Sequence, residues 1–205
     1  MLSTVPSATV VGVHGLTVRV EVHVGDGLPG FTMIGLPDTS CREARDRVRA
    51  AVMSTGLTWP NRKITVNLSP SNVRKIGASL DLAIAVAVLV ASEQLGADEV
   101  ADLAFIGELG LDGSIRPTNG VLPMVAGLDL DRVVVPSADA ADACLGAAHR
   151  HVRCASHLSE VVAALRAEMP WPDAPPSPKV HEPPWACDLS EVHGQPFARR
   201  AVEVA

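Results

Sequence analysis

"RKIGASLDLAIAVAVLVASEQL", Arg74 to Leu95, decides how this chain is read. Leu80, Leu82, Ile84, Val86, Val88 and Leu89 surround a helix on nearly every side, which predicts a buried, central element. A glycine turn precedes that helix, and Ser79 stands at the join. Some hydrolases keep a nucleophile in such a place. The competing role is a helix cap, whose hydroxyl accepts a backbone N–H and steadies the first turn by about 1 kcal/mol.

Upstream, Leu16 to Val24 alternates strictly, so Leu16, Val18, Val20, Val22 and Val24 should face a core and Arg19, Glu21 and His23 the solvent. Val5 to Val13 is expected to pair with it, with a turn near His14-Gly15. Phe31 to Ile34 and Lys63 to Leu68 read as strands. Between them Thr39 or Ser40 is expected to cap a helix running to about Thr55, with Ala44, Val48, Ala51 and Val52 as its apolar stripe. The opposite face carries Arg42, Arg45 and Arg49. Glu43 precedes Arg47 by four residues, a spacing that favours an ion pair on a solvent face.

Downstream, Leu103 to Gly107 reads as a strand and "GELGLDGSIRP" as a hairpin linked by Asp112-Gly113. A helix near Val121 to Leu128, a strand from Arg132 to Val135, a helix capped by Ser137, a strand from His151 to Cys154 and a helix capped by Ser156 complete the pattern. Hairpins beside crossover helices predict an α/β (α+β) sandwich of mixed topology. After Glu168, "PWPDAPPSPKVHEPPW" is proline-dense and without hydrophobic period, an extended linker by composition. Beyond it Ala198, Ala201, Val202 and Ala205 fall on one helical face.

The 205 residues suffice for one substantial core. A net charge of −6 argues against a general nucleic-acid coat but not against a local basic patch. Cys41, Cys144, Cys154 and Cys187 form no C-x-x-C pair, so reduced thiols in a cytoplasm are expected and no metal site. The longest apolar run, Leu82 to Ala91, is too short for a membrane span.

Four blocks, "GLPGFTMIGLPDTSCREARDRVRAAV", "KITVNLSPSNVRKIGASLDLAIAVAVLVASEQL", "FIGELGLDGSIRP" and "DLSEVHGQPFARRAVEVA", together resemble the ComM/YifB family of magnesium-chelatase-like AAA+ ATPases. The resemblance implies a Lon-protease-like N-terminal domain over residues 1–168, a proline-rich linker over 169–187, and the start of a truncated AAA+ domain over 188–205. It also implies a hexameric, DNA-associated motor, with roles such as branch migration during uptake of foreign DNA, whose own ATPase domain and homo-hexamer neighbours would be the partners. Arg42, Arg45, Arg49, Arg62, Lys63, Arg74 and Lys75 are the candidate contacts to DNA or to those partners.

No GxxxxGK[ST] motif occurs in the sequence, so ATP and magnesium are expected as ligands of the full-length family and not of this chain. Val192, Gly194 and Gln195 resemble the family's V-x-G-Q and would line an adenine pocket. An active Lon-like protease pairs its serine with a lysine that takes the hydroxyl proton. Ser79 falls at the serine position, but the lysine position is Leu122, and no lysine lies between Lys75 and Lys179. Ser79 is therefore expected to cap its helix, and the chain to be a non-catalytic module. A Lon-like peptidase and a magnesium-chelatase subunit are the alternatives.

Overall fold

The computed structural model describes residues 1–172 and 188–204. Nine strands and six α-helices occur among them, in a mixed α/β arrangement of several small sheets. The strands β1 (Leu2–Val11), β2 (His14–Gly25), β3 (Gly30–Ile34) and β4 (Lys63–Ser69) form one sheet in the order β1-β2-β4-β3. Only the β3/β4 pair is parallel. Val18, Val20, Val22 and Val24 are buried as their alternation requires, whereas Leu16 is half-buried near the strand's start. The connecting turn lies at Gly12-Val13, two residues earlier than expected, because Val11 pairs directly with His14. Gly12 has φ +64°, the conformation that a two-residue hairpin turn needs and glycine supplies without strain.

Helix α1 (Thr39–Ser54) buries Ala44, Val48, Ala51 and Val52 as its spacing predicts, together with Cys41. Its cap is Asp38 rather than Thr39 or Ser40: the carboxylate accepts the Cys41 N–H at 2.8 Å. Helix α2 (Asp81–Ala91) buries all eleven residues. It ends before Leu95, at Ser92, whose hydroxyl turns back to the Val88 carbonyl at 2.8 Å. The helix lies across β1 and β2 and against α1. Two serines of β1 reach into this apolar layer and are satisfied there, Ser3 donating to the Ala87 carbonyl at 2.7 Å and Ser7 to that of Phe105 at 2.6 Å.

The second sheet joins β5 (Leu103–Phe105), β8 (Arg132–Pro136) and β9 (His151–Ala155), all parallel. Parallel strands are covered on both faces, and here the alternation divides the side chains between two cores. Phe105 and Val134 join the layer containing α2 and α5 (Leu158–Leu165). Ala104, Val133 and Val135 join a smaller one with α3 (Val121–Ala126) and α4 (Ala140–Ala147). The hairpin β6 (Glu108–Leu109) and β7 (Ile115–Arg116) turns through Gly113, as expected. Neither Ser137 nor Ser156 caps a helix. Ser137 begins a 3-10 turn ahead of α4, and His157 caps α5 by accepting the Ser159 N–H at 3.2 Å.

Trp171, which belongs to no helix or strand, packs partly buried on the main core. The proline-rich stretch beyond it lies outside the described residues, as does Ala205. Helix α6 (Pro196–Val204) buries no residue and leaves Phe197 89% exposed. Among the described residues no helix is long and apolar enough to cross a membrane.

Candidate functional site

Two places gather the residues singled out by the sequence. The first is a cleft of about 580 Å³ between the loop before α2 and the loop before α3, within the size range of small-ligand sites. Gly77, Ala78 and Ser79 line one wall, Thr118, Asn119 and Gly120 the other, with Glu108 between them. Ser79 does not cap α2. Helix α2 starts at Asp81 with Leu80 in the cap position and no side-chain cap. The Ser79 hydroxyl, 4% exposed, instead donates to the Ala8 carbonyl of β1 at 3.4 Å. Leu122 is the second residue of α3 and is 42% exposed.

The loop that carries Ser79 is held by a cluster of polar groups that sequence spacing did not show. Asp38 accepts both the Cys41 and the Gly77 N–H, at 2.8 and 3.0 Å. Burial pushes the Asp38 carboxyl up, but these bonds, aided by nearby Arg74, outweigh it and hold the group below its ordinary value. Cys41 donates its thiol to the Gly77 carbonyl at 3.0 Å, and burial with Asp38 alongside raises it to about 12. That thiol is a structural donor and stays protonated near neutrality. Lys75 is fully buried, with its ammonium donating to the Pro70 and Val73 carbonyls. Burial lowers its pKa. Lys75 was expected as a phosphate contact; its burial removes it from any such surface, because two carbonyls of its own loop are nearer partners than solvent.

Beneath the loop Asp81, 1% exposed, takes Arg47 in a bidentate pair, Nε at 2.7 Å and Nη2 at 3.1 Å. Arg47 also donates to the Ser40 carbonyl at 2.9 Å and lies 3.6 Å from Glu43, the partner its sequence spacing suggests. Burial raises Asp81 to about 6, with the Arg47 bonds acting in the opposite direction.

The second place is on the outer face of α1. Arg45 and Arg49 meet Arg62, from the segment before β4, around a depression of about 80 Å³ that Phe31 and Trp59 also line. All three arginines are exposed. Lys63 follows as the exposed first residue of β4. Arg42 lies in the first turn of α1, and Arg74 lies close enough to Asp38 to act on its carboxyl; both are exposed. The seven candidates therefore divide: three converge, Lys63 neighbours them, two lie towards the start of α1, and one is buried. Phe31 and Trp59 were not singled out by the sequence, because they are far apart in it and carry no charge pattern.

Val192, Gly194 and Gln195 are all exposed, on the segment that precedes α6. Among the described residues no group of three or more His, Cys, Asp or Glu is placed to hold a metal ion.

A cleft beside a buried serine and a cluster of exposed arginines on α1 are carried on a body of the mixed α/β class. Comparison with known proteins gives that class a family: the chain belongs to the one described as "Subunit ChlI of Mg-chelatase", matched over residues 20–139, and corresponds to the N-terminal region of the ComM/YifB proteins. It is 37% identical to an "Uncharacterized protein YifB" of Escherichia coli, over 99% of this chain and 40% of that protein. It is 34% identical to the "Competence protein ComM" of Haemophilus influenzae, over 100% of this chain and 41% of that protein. An uncharacterized protein of Mycobacterium tuberculosis is 39% identical over 97% of this chain and 40% of its own length. The chain thus spans about 40% of the length of these curated relatives.

Proposed function

We propose that this chain is a non-catalytic, Lon-protease-like module of a ComM/YifB-type AAA+ ATPase, and that it contacts DNA through the arginine surface of α1. In that reading residues 188–205 open the ATPase domain. ATP, magnesium and the contacts of a hexamer belong to the whole protein. The name of the Haemophilus relative, a competence protein, supports a setting in DNA uptake or processing. The observation that carries the reading is the convergence of Arg45, Arg49 and Arg62 on a chain whose net charge is −6. Exposed cations brought together on an acidic protein form a local anion site.

The peptidase alternative has the cleft of about 580 Å³ in its favour, with Ser79 on its wall. Against it, the Ser79 hydroxyl is bonded to a carbonyl, and the Lys75 ammonium is committed to Pro70 and Val73. A hydroxyl needs a base within hydrogen-bond reach to become a nucleophile.

The test is fluorescence anisotropy of a labelled oligonucleotide with the purified chain. Three phosphate contacts predict that affinity falls roughly twenty- to forty-fold as salt rises from about 50 to about 200 mM. Arg45→Glu with Arg49→Glu should abolish the binding. Affinity that ignores both salt and these substitutions would refute the reading.

A further inference from the structure

The arginine depression has an aromatic floor. Phe31 of β3 and Trp59 of the segment ahead of β4 hold their ring centroids 6.2 Å apart at 31°. Both pack on the main core while remaining partly exposed. Arg45 and Arg49 stand one helical turn apart, about 6 Å along α1, and Arg62 joins them at the same depression.

The charges here are nearly free. Arg49 makes no ion pair among the described residues. Arg62 meets Asp26 at 3.6 Å and Arg45 meets Asp46 at 4.0 Å, with both carboxylates largely in solvent. Such exposed pairs hold a guanidinium weakly and yield to a stronger anion. At about 80 Å³ the depression is too small to enclose a base, so it suits a phosphate, with any attached base lying over the rings.

We propose that this depression is a contact site for single-stranded nucleic acid, in which the three guanidinium groups take phosphates and the Trp59 indole stacks on an adjacent base. The proposal rests on the DNA-binding reading above and adds which form of DNA the site takes. In a duplex the base faces are paired and stacked inward, so an indole beside the backbone gains nothing from them. A single strand offers phosphate and base face together, and a tryptophan platform accepts any base because every base has a π-face. Guanidinium groups alone would serve both forms equally.

The experiment compares an oligothymidylate with a duplex of equal length, at low salt, in a background where Trp171 and Trp185 are phenylalanine. Trp59 is then the sole indole, and stacking should quench its emission as the single strand is added, but not the duplex. Trp59→Leu should weaken single-strand binding about ten-fold, corresponding to one stacked base, and leave duplex binding unchanged. Arg49→Glu, an exposed substitution that spares the core, should weaken both. Circular dichroism confirms that each variant is folded. Binding of both forms that Arg49→Glu weakens while Trp59→Leu leaves unchanged would overturn the single-strand site and keep the DNA reading. Equal losses on both forms with Trp59→Leu would likewise overturn the site. No binding to either form at low salt would overturn both proposals.

Discussion

The Ser79 hydroxyl reaches the Ala8 carbonyl over 3.4 Å, a long bond that ties the loop before α2 to β1, and no basic side chain is bonded to it among the described residues. Substituting alanine should therefore cost at most about 1 kcal/mol of unfolding free energy, in the range of one modest hydrogen bond. A fluorophosphonate probe should leave Ser79 unlabelled, while stoichiometric labelling at that residue would establish a nucleophile. The sequence located Ser79 at the join of loop and helix but could not supply its partner. Ala8 is 71 residues away, and a carbonyl acceptor leaves no mark in residue type. Lys75 shows the same limit from the other side. Its charge suggested solvent, yet two carbonyls of its own loop accept from the buried ammonium and offset part of the cost of taking it inside.

At the scale of elements, Asp81 links three: it begins α2, holds Arg47 of α1, and accepts the Leu109 N–H of β6 at 3.3 Å. Its folded pKa, about 6, lies above the value of about 3.9 for an unfolded aspartate. Between those values the native state binds more protons than the unfolded one, so stability falls as pH rises through the window. The loss from this group is about 3 kcal/mol, complete above pH 6 to 7. Chemical denaturation between pH 4 and pH 7 should show this slope, and Asp81→Asn, which cannot titrate, should remove it. An unchanged slope in that variant would assign the effect elsewhere. The apolar stripe of α1 was legible because helical periodicity is local, and the same holds for the alternation in β2. The cap was read one or two residues late because Asp38, Thr39 and Ser40 are all capping types and only the backbone path chooses among them. The Arg47–Asp81 pair was illegible for a different reason, since a nearer partner, Glu43, satisfied the i,i+4 rule.

For the whole molecule, strands of three sheets together with α1 bury α2 completely, as its uniformly apolar surface demanded. The mixed α/β class followed from alternating patterns, but the division into two cores did not, because it depends on which face of β5 and β8 meets which helix. The arginine site is legible only in part for the same reason: periodicity put Arg45 and Arg49 on one face, whereas Arg62, Phe31 and Trp59 arrive from other segments. The segment around α6 supports a last expectation, that this chain does not bind ATP tightly. Triphosphate affinity rests mainly on P-loop amides, their lysine and magnesium, and the sequence contains no GxxxxGK[ST] run. Val192, Gly194 and Gln195 are exposed and can offer a base only shallow contacts. Micromolar affinity needs about 8 kcal/mol, and such contacts must first offset the entropy lost on holding a ligand. Titration of a fluorescent ATP analogue with magnesium into this chain should show no saturation at micromolar concentrations. Saturation there would reveal a phosphate site elsewhere on the molecule, and its loss in the Arg45→Glu variant would then assign it to the arginine depression.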